Sequence, residues 1–220
     1  RHASYDGQAW SDPETVDATS MQSDHPAVAC AGGVVHVVWE DTLDGEIWYR
    51  RRSSGTWGTR QRLGSEGDHG PPGHPDVAAG NGRVFIVWDW CTDSLCEAYF
   101  LVYARSNDNG SSWYPRREVG TDYVSEAEHP FNPYGSSSSF DDHRAALQPS
   151  VALTEEGWPA VIWHGESGGE HGLYSCYAAS GGDLSVTWSI VPTLLNVGRE
   201  AASAVVEAQG QTGDGEPGLH

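Results

Sequence analysis

The sequence predicts an all-β protein, a β-propeller of four-stranded antiparallel blades. Three observations carry that reading. A short segment recurs at wide spacing: His25-Pro26-Ala27-Val28-Ala29 returns as His74-Pro75-Asp76-Val77-Ala78, as Gln148-Pro149-Ser150-Val151-Ala152, and more weakly as Ala202-Ser203-Ala204-Val205-Val206. The spacing defines a unit of about 50 residues, in the range of propeller blades. Each unit holds four short β-type runs separated by Gly, Asn and Asp turns, and the composition supplies the means, with 27 Gly for turns and 10 Trp for a core. A two-sheet sandwich of the same strands needs no such period.

The elements follow in order within each unit. The recurring segment is the first strand. A second run follows a glycine turn, as Val35 to Glu40 (VHVVWE), Val84 to Asp89 (VFIVWD) and Pro159 to His164 (PAVIWH), and it places Trp39, Trp88 and Trp163 at one position. Because these tryptophans recur with the unit and alternate with other apolar residues, they are expected in the core. Third runs stand at Glu46 to Arg51, Ala98 to Arg105 and Gly172 to Ala178, and a fourth begins at Trp57, Trp113 and Trp188. The dipeptides Asp44-Gly45, Asn81-Gly82 and Asn109-Gly110 supply tight turns. The blades are thus expected at 25–66, 74–120 and 148–196, with a long loop at 120–147. Residues 1–18 and 202–220 read as parts of one further blade: Trp10 falls where Trp57 and Trp113 fall, and Leu219-His220 sits where Val35-His36 sits. About four blades are expected, one of them broken between the termini, with membership of a larger ring as the alternative. The edges of a broken blade invite self-assembly by strand pairing.

Charge and composition exclude partners. The formal net charge is -19, and all 12 basic residues are arginine. Such a polyanion does not hold a nucleic-acid backbone and has no basic patch for an anionic membrane. No apolar run reaches the ~18 residues of a spanning helix, so no membrane span is expected. The chain starts at Arg1 without a signal-peptide pattern, which reads as a processed product or a piece. Four cysteines lack paired zinc-ligand spacing, and no metal site is assigned. Cys91 and Cys96 flank the loop TDSL, and a disulfide pinning that hairpin is expected, against two reduced thiols. Cys30 and Cys176 cannot be paired from the sequence.

Ser106-Asn107-Asp108-Asn109-Gly110-Ser111-Ser112-Trp113 has the pattern S-x-D-x-G-x-x-W, and with it the chain resembles the Asp-box (BNR) repeats of sialidase-like β-propellers. Ser4 to Trp10 is a version one residue short, while Ser53 to Trp57 and Ser180 to Trp188 keep parts. In physical terms Asp108 can accept hydrogen bonds from turn amides, Gly110 permits a left-handed turn and Trp113 packs under the hairpin, a structural role shared by Ser106. Asn109-Gly110-Ser111 is formally a glycosylation sequon, but turn chemistry explains it. The resemblance implies that Asp-box turns lie opposite the binding face, which then carries the connections between second and third strands and between blades.

On that face stand Glu40, Asp41, Asp89, His164 and Glu166 at the ends of second strands, with His25 and His74 at the start of first strands. Their repetition argues for hydrogen bonds that hold loops rather than for catalysis, and the repeat scatters the histidines over adjacent blades, against a metal site. The 120–147 loop exceeds ordinary lengths, and its Asp122, Glu126, Glu128, His129, Asp141, Asp142, His143 and Arg144 offer ligands for calcium or for sugar hydroxyls. Trp90 does not recur and reads as a platform for a sugar ring or as a cap on the blade. The candidate ligand-binding residues are therefore Trp90, Asp89, Glu40, His164, Asp141, Asp142 and Arg144. A sialidase resemblance implies a Tyr nucleophile, an assisting Glu and Arg side chains gripping a substrate carboxylate. Tyr123 or Tyr134 with Arg144 and Arg199 supply that set incompletely, so no catalytic residue is assigned. The expected function is a non-catalytic secreted or cell-surface module that binds a glycan or protein, or assembles through its incomplete blade. The alternative is a glycoside hydrolase whose remaining catalytic residues lie outside this chain.

Overall fold

The computed structural model describes residues 1–19, 22–65, 70–91, 99–119, 147–167, 170–181, 186–188 and 193–197. It is all-β, with antiparallel sheets arranged as in a β-propeller. Three sheets are present among these residues. The first comprises β1 (Ser23–Ala31), β2 (Val34–Asp41), β3 (Glu46–Ser53), β4 (Thr56–Trp57) and β5 (Gln61–Ser65), the last two sharing one edge of β3. The second comprises β6 (Pro72–Gly80), β7 (Arg83–Cys91), β8 (Tyr99–Ser106) and β9 (Arg117–Glu118). The third comprises β10 (Leu147–Leu153), β11 (Pro159–Ser167), β12 (Glu170–Gly181), β13 (Val186–Trp188) and β14 (Thr193–Val197).

Alternation of side chains builds the core between sheets. On β7, Val84, Ile86 and Trp88 face the first sheet and meet Val38, Ile47 and Tyr49. Its intervening Phe85 and Val87 face the third sheet and meet Val151, Val161 and Trp163. The second sheet is therefore buried on both faces, which is why β7 reads as one unbroken apolar run. Trp39, Trp88 and Trp163 are all buried, each on the side of its sheet that looks toward the preceding unit.

The turn from Ser106 to Trp113 is a compact hydrogen-bonded device. Asp108 Oδ1 accepts from the amides of Ser111 and Ser112 at 3.0 and 2.9 Å and from Ser106 Oγ at 2.7 Å, while Ser112 Oγ donates to Oδ2 at 2.6 Å. Partial burial works against the charged form of Asp108, but these donors outweigh it and hold the carboxyl down to about 2. Asn109 and Gly110 take φ of 55° and 73°. The turn rests on the first sheet. Trp113 meets Tyr49 edge-on at 4.8 Å, Arg51 Nη1 donates to the Asn109 carbonyl at 2.9 Å, and a Cβ at Gly110 would lie 1.9 Å from the Tyr49 hydroxyl. Tyr49 in turn bonds His36 Nδ1 at 2.8 Å. Burial, aided by the Arg51 charge, pulls His36 down to about 4, so this interior pair is neutral at ordinary pH.

The N-terminal residues form a narrow hairpin with bridges His2↔Glu14 and Tyr5↔Trp10. Glu14 fastens it to the first sheet by accepting from Arg52 Nε and Nη2 and from Trp57 Nε1. Trp10, aligned by sequence with the buried-side Trp113, is 70% exposed. Residues 202–220 and residues 120–146 of the long loop, with its Asp141, Asp142 and Arg144, lie outside the described residues. Cys91 is disulfide-bonded, Cys96 lies outside the described residues, and Cys30 and Cys176 are thiols.

The contact under Gly110 yields a direct test. Gly82 has a similar φ of 77° but open space where its Cβ would stand. Gly82→Ala is expected to cost about 1 kcal/mol for the left-handed backbone, and Gly110→Ala a further ~1–3 kcal/mol for displacing Tyr49. Urea unfolding of both variants measures the difference; equal losses would remove the Tyr49 contact as a constraint.

Candidate functional site

Each first strand opens with the same irregularity. His25, His74 and Gln148 precede prolines and hold positive φ of 44°, 47° and 52°, an uncommon conformation for residues other than glycine. At each of the three the pairing register slips, between Asp24 and Ala27, between Gly73 and Asp76, and between Leu147 and Ser150. A bulge of this kind re-aims a side chain and its amide. Here it turns the imidazoles of His25 and His74 toward the end of their own second strand, and the amides of His74 and Gln148 toward that of the preceding sheet, while the His25 amide bonds Asp24 Oδ1. At these strand ends Glu40 pairs with Asp24, Asp89 with Gly73, and His164 with Leu147.

The acidic residues at those strand ends link neighbouring sheets. Glu40 Oε2 accepts His25 Nδ1 of its own sheet at 3.0 Å and the amide of His74 in the next sheet at 2.9 Å. One step on, Asp89 Oδ2 accepts His74 Nδ1 at 2.8 Å and the amide of Gln148 at 2.9 Å. A parallel stitch lies nearby, where Asp76 Oδ2 accepts Ser150 Oγ and the Val151 amide. Gly73 leaves the space these groups need: a Cβ there would stand 3.2 Å from both Asp89 Oδ1 and Glu40 Oε2. The expectation of loop-holding hydrogen bonds at these positions corresponds to this arrangement, with whole sheets rather than loops as the things joined.

The geometry also corrects the view that the repeat scatters the histidines. Adjacent sheets converge at this end, and the rings of His25 and His74 lie 4.4 Å apart at 57°. From interior to solvent the order is carboxylate, imidazole, water. The side chain of Asp89 is 1% exposed and that of Glu40 is 12% exposed, whereas His25 is 44% and His74 31% exposed. With Nδ1 turned inward to a carboxylate, each ring has Nε2 left to donate or accept. The hydrogen bond to Asp89 raises His74 above its ordinary value, burial opposes this, and the charges of Asp89, Glu40 and Asp24 add to the rise. Burial, then the charge of Asp89, raises the Tyr99 hydroxyl as well. Among the described residues no group of three or more His, Cys, Asp or Glu is placed to hold a metal ion.

Two further candidates resolve differently. His164 occupies the position of Glu40 and Asp89 in the third sheet, and its buried Nε2 has no hydrogen-bond partner. Trp90 is not a platform: it is 3% exposed, donates Nε1 to the Gly70 carbonyl at 2.7 Å, stacks on Phe100 and lies under the Arg116 guanidinium at 4.5 Å. The same twofold burial that makes β7 a central strand covers the indole, so of the two sequence readings the capping role is the one the structure contains. The residues with solvent-facing chemistry, His25 and His74, were expected on this face at the start of first strands; their approach across a sheet boundary has no signal in a linear repeat.

No protein-family model matches the chain, and no curated protein matches it. Among solved structures it is similar to the Hadza microbial sialidase Hz136, with a TM-score of 0.57, 12% identity, and coverage of 84% of this chain and 39% of that one. It is similar to Zg3597, a family 117 glycoside hydrolase of the marine bacterium Zobellia galactanivorans, with a TM-score of 0.50, 12% identity, and coverage of 80% and 57%. The Trypanosoma rangeli sialidase gives a TM-score of 0.50 at 10% identity, covering 78% of this chain and 30% of that one. The chain thus spans well under two thirds of these relatives, all β-propellers, and the likeness carries the fold.

The His74 to Asp89 pair predicts a pH signature. A raised folded pKa means that the pair stabilises fully below the unfolded value of 6.5 and that the contribution is lost as pH rises through the folded value. The melting-temperature gap between the parent and His74→Gln should be widest just below pH 6.5 and narrow above it. A gap that is flat, or that widens toward alkaline pH, contradicts the pairing.

Proposed function

We propose that this protein is a non-catalytic carbohydrate-binding propeller module that meets its ligand at the end bearing His25 and His74. One observation carries the reading: both carboxylates at this end are committed to joining sheets, while the imidazoles they orient face solvent. A pair of fixed imidazoles can bond adjacent sugar hydroxyls, donating or accepting at Nε2 as the hydroxyl requires. The same residues suit a polar protein loop less well, because the exposed surface between two rings is small. The Ser106–Trp113 turn, read as an Asp-box, would lie at the opposite end of the sheets and serve the scaffold. The disulfide at Cys91 accords with a secreted or cell-surface setting, and pairing through an incomplete blade remains part of the proposal.

The fold likeness favours a second reading. Two of the similar structures are named sialidases and another a glycoside hydrolase, and carboxylate pairs perform glycoside hydrolysis. Against it, Asp89 is buried and each carboxylate already accepts two hydrogen bonds on one oxygen. Catalysis in this reading rests on residues beyond those described.

Retention on a glycan array distinguishes the readings. The His25→Ala/His74→Ala double variant should lose retention at least about tenfold, the scale of one or two hydrogen bonds, with its circular dichroism unchanged. Undiminished retention would move the ligand away from this end. Turnover of an aryl sialoside or another aryl glycoside by the longest natural form of the protein would replace binding with hydrolysis.

A further inference from the structure

A second site lies on the first sheet, away from the imidazole pair. Where the chain leaves the N-terminal hairpin it crosses the outer edge of that sheet, and an open groove of about 580 Å³ forms between them, lined by Asp17, Ala18, Arg50, Trp57, Gly58, Thr59 and Arg60. Volumes of this order hold one or two sugar rings.

The groove is locally cationic on a strongly acidic protein. Arg60 Nη1 pairs with Asp17 Oδ2 at 3.1 Å, and its guanidinium lies 4.0 Å over the Trp48 ring. Burial works against the charged form of Asp17, but hydrogen bonds from Thr19 and Arg60 outweigh it and keep the carboxyl low, so this pair is neutral as a unit. Arg50 is different. Its Nε donates to the Gly58 carbonyl at 2.6 Å and its Nη1 to the Val16 carbonyl. Among pairs of described residues, arginine–carboxylate bridges are made by Arg52, Arg60 and Arg62, and none involves Arg50. Two neutral carbonyls therefore fix the guanidinium without neutralising it, and Nη2 is left with both N–H donors unused among the described residues. In a chain with 31 acidic residues and 12 arginines, a half-buried guanidinium held rigid by backbone and turned into a groove beside an indole is preorganised for an anion.

We infer that this groove binds a carboxylate-bearing saccharide unit, its carboxylate on Arg50 and its ring against the wall formed by Trp57 and Gly58. Charge selects the class: the groove carries one uncompensated positive charge, which matches a single carboxylate. The apolar flank of the indole and the size of the space match a sugar ring better than a bare inorganic ion. This site is independent of the imidazole pair, and substitutions at the two ends separate them.

The test is calorimetric titration of the intact chain with sodium glucuronate, with glucose as the neutral control. Glucuronate should bind, glucose should not at the same concentration, and added salt should weaken the interaction. Arg50→Gln should reduce affinity by at least ~10-fold, the scale of a charge-assisted hydrogen bond. Since Arg50 also ties down Val16, a second variant guards against misfolding. Thr59→Glu, at an exposed position, adds a competing carboxylate at the lip without touching the anchors of Arg50, and should abolish binding while His25→Ala/His74→Ala leaves it intact. Absence of heat at about 10 mM glucuronate, equal binding of glucose, or full affinity in a folded Arg50→Gln or Thr59→Glu variant overturns the inference.

Discussion

The arrangement of this molecule depends on a carboxylate that serves two sheets at once. Glu40 and Asp89 each hold an imidazole of their own sheet and an amide of the next on a single oxygen. A backbone amide becomes available there only because His74 and Gln148 adopt a left-handed conformation before proline, a geometry that costs of order 1–3 kcal/mol unless its surroundings enforce it. The charge-assisted hydrogen bonds supply that enforcement. Strain, bulge and carboxylate are thus one device, repeated at successive seams.

The apolar seams and the polar stitches divide the work. Dispersion and burial between β7 and its neighbours hold the sheets together without specifying how they are rotated. Direction comes from the two ends: the carboxylates at one, and at the other the turn of one sheet seated on the preceding sheet. Arginine has a recurring part in this second role, donating to turn carbonyls at Asn109, Glu156 and Gly157. Its planar fork suits such carbonyl contacts, which a lysine ammonium would make with less directional control.

How much of this was legible in the letters follows from what a repeat encodes. Strand order, turn positions and the burial of Trp39, Trp88 and Trp163 depend on local periodicity, and periodicity is linear. The polar residue after each tryptophan, Glu40, Asp89 or His164, was visible as a recurring position, and Glu40 and Asp89 are the two that serve as hydrogen-bond hubs. The meeting of His25 and His74 depends on how one sheet is turned against the next, a quantity no segment contains. Trp90 misled for a related reason: lack of recurrence marked it as special, whereas a central strand covered on both faces can bury an unrepeated side chain as readily as a repeated one. The Arg50 groove was hidden more deeply, since three consecutive arginines on β3 look alike until the N-terminal segment meets Arg52 with a carboxylate and Arg50 with a carbonyl.

The seat of Gly110 on Tyr49 has a bearing on how the chain is made. The turn of the second sheet needs a finished surface on the first, and Arg83 of the second sheet similarly receives the turn carbonyls of the third. Both of these turns thus find their seat on a sheet already synthesised. A ribosome delivers the chain in that same direction, so each of these seats is in place before the turn that rests on it emerges.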